Sequence, residues 1–190
     1  MAMKRLLFLS YLLVSSAVYA GPTPSPPSIE ADRLQRRCSI NFSNEPYPRE
    51  NGALGSPVRD IKVTWQCMNG EREVIDQYSV EGGSPEVVTV LFWKKQSFLV
   101  LVKWTTNSHA SDFQGDFYRL YIYKFSKTAP HKKFTPNETL MSEFGEGWDG
   151  VMNGVVKEYQ FKDAASIRRK LQELGPRLYD GKKYFPNFSG

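Results

Sequence analysis

Two cysteines, Cys38 and Cys67, each sit in a run whose apolar and polar residues alternate, and the chain holds no others. Cys38, Ile40 and Phe42 alternate with Ser39 and Asn41, while Ile61, Val63, Trp65 and Cys67 alternate with Lys62, Thr64 and Gln66. A period of two marks a strand with one buried face. If the runs are antiparallel with Cys38 opposite Cys67, Ile40 faces Trp65 and Phe42 faces Val63, so one register puts every apolar residue on one side. The sequence thus predicts a disulfide closing a loop of about thirty residues, worth ~3 kcal/mol if it acts by restricting the unfolded chain.

A disulfide needs an oxidising compartment, and the N-terminus supplies the route to one. Lys4 and Arg5 precede an apolar run from Leu6 to Val18, and Ala20 follows. That is the charged, apolar, small-residue order of a cleavable signal peptide. The apolar run is about a dozen residues, against the ~20 needed to span a bilayer. We expect residues 1–20 to be removed after Ala20 and the mature chain to be periplasmic or secreted, with no integral membrane segment. Losing Lys4 and Arg5 lowers the formal charge from +5 to +3. The remaining basic residues are dispersed among acids, unlike the concentrated Lys/Arg surface of a nucleic-acid binder, so no nucleic-acid partner is expected.

Gly21 to Glu30 carries Pro22, Pro24, Pro26 and Pro27 and reads as an extended leader, followed by a short turn at Ala31–Arg37. Asn44 to Pro57 reads as a surface loop. Met68-Asn69-Gly70-Glu71 reads as a hairpin turn joining Val58–Cys67 to Glu73–Val80. Further strands are predicted at Glu86–Trp93, Ser97–Trp104, Phe117–Phe125 and Val151–Phe161, with a short helix near Asn137–Phe144. Asp163 is placed to cap a helix ending at Leu174, with Gly175 as its stop; Ile167, Leu171 and Leu174 form its apolar stripe. The expected fold is mainly β (β-rich α+β): one antiparallel sheet or sandwich of about 6–8 strands, with a C-terminal helix packed on it. Residues 31–190 are expected to form a single domain.

No nucleotide-binding loop, serine-hydrolase elbow or zinc-protease motif is present. The only histidines, His109 and His131, lack the clustered partners of a metal site, so we expect neither metal nor cofactor. Glu143, Glu146 and Asp149 are the acids that a glycan hydrolase would draw on, although their glycine-rich setting reads equally as a solvated loop. Asn41, Asn137 and Asn187 each open an Asn-x-Ser/Thr triplet.

The segment 105–116 reads as a small-residue polar loop between two central strands, the kind of connection that scaffolds offer to partners. Ser, His and Asp packed so closely in sequence are poorly placed to converge as a triad. We therefore expect a binding loop in which Asn107, Ser108, His109, Ser111 and Asp112 make polar contacts and Phe113 supplies an apolar anchor. The functional expectation is an exported binding protein, most concretely a periplasmic inhibitor or immunity protein inserting this loop into the active site of a cell-envelope hydrolase or toxin. Its rivals are a cell-envelope enzyme acting on peptidoglycan or glycan, and a carbohydrate- or wall-binding structural protein.

Overall fold

In the computed structural model, the described residues are 28–46, 58–108, 113–129 and 132–175. The expected signal peptide and residues 21–27 of the leader lie outside them. Strands β1 (Ile29–Glu30), β2 (Cys38–Pro46), β3 (Arg59–Cys67) and β4 (Arg72–Tyr78) make one antiparallel sheet in that order. Cys38 pairs with Cys67, Ile40 with Trp65 and Phe42 with Val63, as the alternation predicts. The sulfurs are bonded, with Cα atoms 4.0 Å apart. Ile40, Val63 and Trp65 are completely buried.

Two boundaries differ from expectation. The end of the leader is part of the sheet, because Ile29, its only large apolar residue, pairs opposite Ile40 and packs on the core. Strand β2 also runs on through Asn44, Glu45 and Pro46, opposite Ile61, Asp60 and Arg59, where a loop was expected; residues 47–57 lie outside the described ones. At the turn between β3 and β4, of Asn69 and Gly70, only Gly70 takes the left-handed backbone, at φ 87°. The Asn69 carboxamide instead accepts the Glu71 amide at 3.1 Å.

The second sheet contains β5 (Pro85–Trp93), β6 (Ser97–Ser108), β7 (Phe113–Phe125), β8 (Phe134–Pro136), β9 (Glu146–Met152) and β10 (Val155–Lys157). Its order is β10-β9-β7-β6-β5, with β8 also on β7. One edge of β7 is shared: β9 takes Phe113–Arg119 and β8 takes Tyr123–Phe125. Between those ladders the Asn137 amide donates to the Ile122 carbonyl at 2.8 Å.

The expected single sheet is therefore corrected to two antiparallel sheets, of four and six strands, while the short helix expected near Asn137–Phe144 is α1 (Glu138–Ser142) and the C-terminal helix is α2 (Ala164–Leu174). The reason lies in β6. Phe98, Val100, Val102 and Trp104 on one face, and Leu99 and Leu101 on the other, are all 0 % exposed. A strand apolar on both faces must be covered on both. The four-stranded sheet covers the first, with Trp65, Phe125 and Phe134 among the packed rings. The helices cover the second through Leu140, Ile167, Leu171 and Leu174. Helix α2 has the predicted limits: Asp163 accepts the Ser166 amide at 2.7 Å and Gly175 follows its last turn.

Polar groups fasten the two sheets together. The Trp65 indole donates to Glu71 at 3.1 Å, Lys133 pairs with Glu71 at 2.9 Å, and Glu73 accepts the backbone amides of Lys133 and Phe134. Tyr123 donates to Asp76, and its hydroxyl lies 3.2 Å from that of Tyr78. The one buried acid among the described residues, Asp60, accepts from Gln77 at 2.7 Å and from the Val80 amide at 2.9 Å.

Two outcomes follow from this scaffold. Replacing Cys38 and Cys67 together by serine should lower unfolding free energy by roughly 3–4 kcal/mol, as expected for a 29-residue separation. Urea unfolding of variant and wild type measures it; a loss under ~1 kcal/mol would show that the paired strands need no staple. Burial works to raise the Glu71 carboxyl, but hydrogen bonds from Lys133 and Trp65 outweigh it and hold the group below its ordinary 4.5. A depressed acid adds stability above its unfolded value and loses it as pH falls through the folded value. Glu71→Gln should thus be less stable than wild type at about pH 6, yet lose less stability between about pH 6 and about pH 3. Equal losses in both proteins would remove Glu71 from the acid limb.

Candidate functional site

Past Trp104 and Phe117 the hairpin of β6 and β7 continues for four more residue pairs: Thr105 with Asp116, Thr106 with Gly115, Asn107 with Gln114 and Ser108 with Phe113. The segment expected to be a loop from 105 to 116 is thus mostly paired strand, and only 109–112 connect its arms. His109, Ser111 and Asp112 lie outside the described residues. Asn107 and Ser108 are in β6, opposite Gln114 and Phe113. The expected apolar anchor, Phe113, is turned inward: it is 5 % exposed and its ring sits 4.2 Å from that of Trp148 on β9. It props the stem from within.

A second hairpin flanks the first. The expected strand from Val151 to Phe161 is split at Asn153 and Gly154, whose φ values of 51° and 73° make the tight turn between β9 and β10. Asn-Gly between Met152 and Val155 is the same signal that marks the turn at Asn69-Gly70, and it was there to be read. Because Phe113 pairs with Met152, this turn lies beside the described end of the longer hairpin, at the same end of the sheet.

Gly115 and Gly150 clamp the two hairpins together. They are paired across β7 and β9 with φ values of 156° and 152°. A Cβ on Gly115 would stand 2.3 Å from the Asp149 carbonyl oxygen, and one on Gly150 would stand 2.3 Å from that of Gln114. Backbone meets backbone there, so no side chain fits without parting the strands.

The two faces of this extension differ in chemistry. On the face shared with the four-stranded sheet, Arg119 bonds Glu146 and reaches Glu81 at 3.2 Å and the Tyr121 hydroxyl at 3.4 Å. Its guanidinium lies 5.4 Å from the centre of the Phe117 ring and 5.7 Å from that of Trp104. On the opposite face, Lys103 bridges Glu86 and Asp116, Thr105 donates to Asp116 at 2.6 Å, and Lys162 holds Asp149 at 2.9 Å. Burial, and then the Asp116 charge, push the Tyr118 hydroxyl up to about 12, so it stays a proton donor to Asp116.

Glu146 is paired opposite Arg119 and Asp149 opposite Asp116, three residues apart on one strand and hence on opposite faces. They do not form the facing carboxylate pair of a sugar hydrolase. Glu143 caps the end of α1 and is exposed. Among the described residues no group of three or more His, Cys, Asp and Glu is placed to hold a metal, and no helix is long and apolar enough to cross a membrane.

What the end of the sheet does offer is exposed apolar surface. Val151 is 43 % exposed, Val155 55 % and Val156 75 %, and Val151 and Val156 are direct cross-strand partners. Strand β10 is exposed along its whole length and, among the described residues, pairs on one side alone. Substitution separates clamp from turn: Gly115→Ala or Gly150→Ala should each cost at least ~2 kcal/mol, whereas Gly154→Ala, with no atom within 4 Å of the new Cβ, should cost about 1 kcal/mol for its φ alone. Thermal unfolding of the three variants ranks them, and equal costs would deny the clamp. The chain matches no protein-family model, no curated protein and no solved structure in comparisons with each.

Proposed function

We propose that this protein is an exported binding protein that acts by occlusion, most concretely as an inhibitor or immunity protein directed at a cell-envelope hydrolase. The observation that carries the reading is the end of the six-stranded sheet, where the paired stem ending at Ser108 and Phe113 is clamped to the β9–β10 hairpin with exposed valines beside it. A rigid stem suits occlusion, because little conformational entropy is lost when it enters a cleft. Exposed valines around Asn153-Gly154 supply apolar contact that needs no exposed Phe113. His109, Ser111 and Asp112, proposed as polar contacts with Asn107 and Ser108, lie outside the described residues. The disulfide fits an oxidising compartment outside the cytoplasm.

One arrangement favours a second reading, a wall- or carbohydrate-binding component. Phe117 and Trp148 are half-buried beside Arg119, Glu81 and Glu146, so aromatic surface adjoins groups able to hydrogen-bond sugar hydroxyls.

Affinity capture from the native envelope extract decides between them. The wild-type protein should retain a hydrolase and inhibit it. Val155→Asp with Val156→Asp should weaken that complex by about tenfold or more, as should Ser108→Ala, His109→Ala and Ser111→Ala combined, with little change in melting temperature. Retention of wall polymer instead, abolished by Trp148→Ala, would favour the second reading. Turnover of a glycan by the isolated protein would overturn both.

A further inference from the structure

At the end of the six-stranded sheet away from the hairpin stem, folding gathers lysines that the sequence scatters. Lys94 and Lys95 form the turn between β5 and β6, Lys124 stands near the end of β7 opposite Ser97, and Lys127 and Lys132 lie in the connection from β7 to β8. Backbone bonds set these segments side by side: the Phe125 amide donates to the Gln96 carbonyl at 2.7 Å, and the Ser126 amide to the Lys133 carbonyl at 2.8 Å. Each of these lysines is exposed. Neighbouring strands stand about 4.8 Å apart, inside the ~8 Å screening length of physiological salt, so the charges act as one surface.

Acids do not neutralise this surface. Among the described residues Lys95, Lys124, Lys127 and Lys132 enter no ion pair, although Glu138 of α1 and Glu173 of α2 are exposed too. Glu71 and Glu73, which approach from the four-stranded sheet, are engaged by the Lys133 ammonium, the Trp65 indole and the amides of Lys133 and Phe134. The hairpin end is the reverse. There Lys103 bridges Glu86 and Asp116, Arg119 bridges Glu81 and Glu146, and Lys162 bridges Asp149 and Glu158. With two acids to each of these cations, the sheet is polarised along its strands, basic at one end and acidic at the other.

The lysine turn keeps its charge at the expense of backbone fit. The Gln96 amide closes it on the Trp93 carbonyl at 3.2 Å, and both central residues are left-handed, Lys94 at φ 48° and Lys95 at φ 55°. Lysine disfavours that region, and Asn-Gly is the pair that suits such a turn. The chain places Asn153-Gly154, at φ 51° and 73°, between β9 and β10. Two lysines in the equivalent geometry mark a position where charge outweighs turn chemistry. Behind them the Lys94 ammonium lies 5.7 Å from the centre of the half-buried Trp93 ring, an aromatic beside a cation as at a lipid–water boundary.

We propose that this basic end docks on an anionic lipid bilayer, with headgroup phosphates against the lysines and the acidic hairpin end turned away from the membrane. The lysines spread over adjoining turns at the end of a sheet, a broad face suited to a plane of headgroups rather than a stripe that tracks a nucleic-acid backbone. The docking does not depend on what the hairpin end binds.

Co-sedimentation of the disulfide-bonded protein with vesicles of phosphatidylglycerol and phosphatidylcholine, against phosphatidylcholine alone, tests it. Only the mixed vesicles should retain the protein, and less of it as salt rises. Lys94→Asn combined with Lys95→Gly should weaken retention about 25-fold, at about fivefold per lysine, while raising the melting temperature, a combination that misfolding cannot produce. Lys124→Gln with Lys127→Gln should weaken it to a similar degree. Lys157→Gln, which removes one charge from the hairpin end, should change nothing. Retention by neither vesicle, retention unaltered by the Asn-Gly replacement, or a fivefold loss in Lys157→Gln would overturn the proposal. So would tighter binding to a double-stranded oligonucleotide than to the mixed vesicles at the same salt.

Discussion

Everything in this fold hangs on β6 being withdrawn from water on both faces. Five consecutive side chains from Phe98 to Val102, and Trp104 beyond Lys103, are wholly buried, each contributing about 1.5–3 kcal/mol relative to an exposed side chain. Alternation hands Phe98, Val100, Val102 and Trp104 to the four-stranded sheet and hands Leu99 and Leu101 to the helices. Neither cover is dispensable, because losing one exposes half of a strand that has no polar face to show.

The same pair of strands changes character along its length. Toward Phe98 and Tyr123 it is core, packed on rings from both sheets. Beyond Trp104 it is held by different forces: Arg119 over two rings, ion pairs on the far face, and two glycines brought close enough to exclude a side chain. The outer half therefore resists bending without needing an apolar core of its own. That explains how valines on β9 and β10 stay exposed beside a stable sheet.

Much of this was legible in the residues. Period-two alternation around Cys38 and Cys67 admits one register, and Asp163, Ile167, Leu171, Leu174 and Gly175 define α2 because cap, stripe and stop agree. Less legible was the stem at Thr105–Ser108 and Phe113–Asp116. Its strands are polar and small because one face is satisfied by ion pairs and a threonine–aspartate bond, so the hydrophobic alternation that betrays a strand is missing. The second sheet was hidden for a related reason: burial on both faces leaves a continuous apolar run that does not say what covers it. At the candidate site the inward turn of Phe113 could not be foreseen, since it depends on Trp148 arriving from β9. The valine edge became visible once Asn153-Gly154 was recognised as a turn.

The shared edge of β7 carries a further implication. Its ladder to β9 ends at Arg119 and its ladder to β8 begins at Tyr123, with a single Asn137 amide bonding in the interval. Such a seam divides the strand into two zones of cooperativity. Thermal opening that frees β9 and β10 can stop at the seam, so amide protons of the distal hairpins should exchange with solvent long before those of the disulfide-bonded sheet, and a tug at the tips would be absorbed before it reached the core.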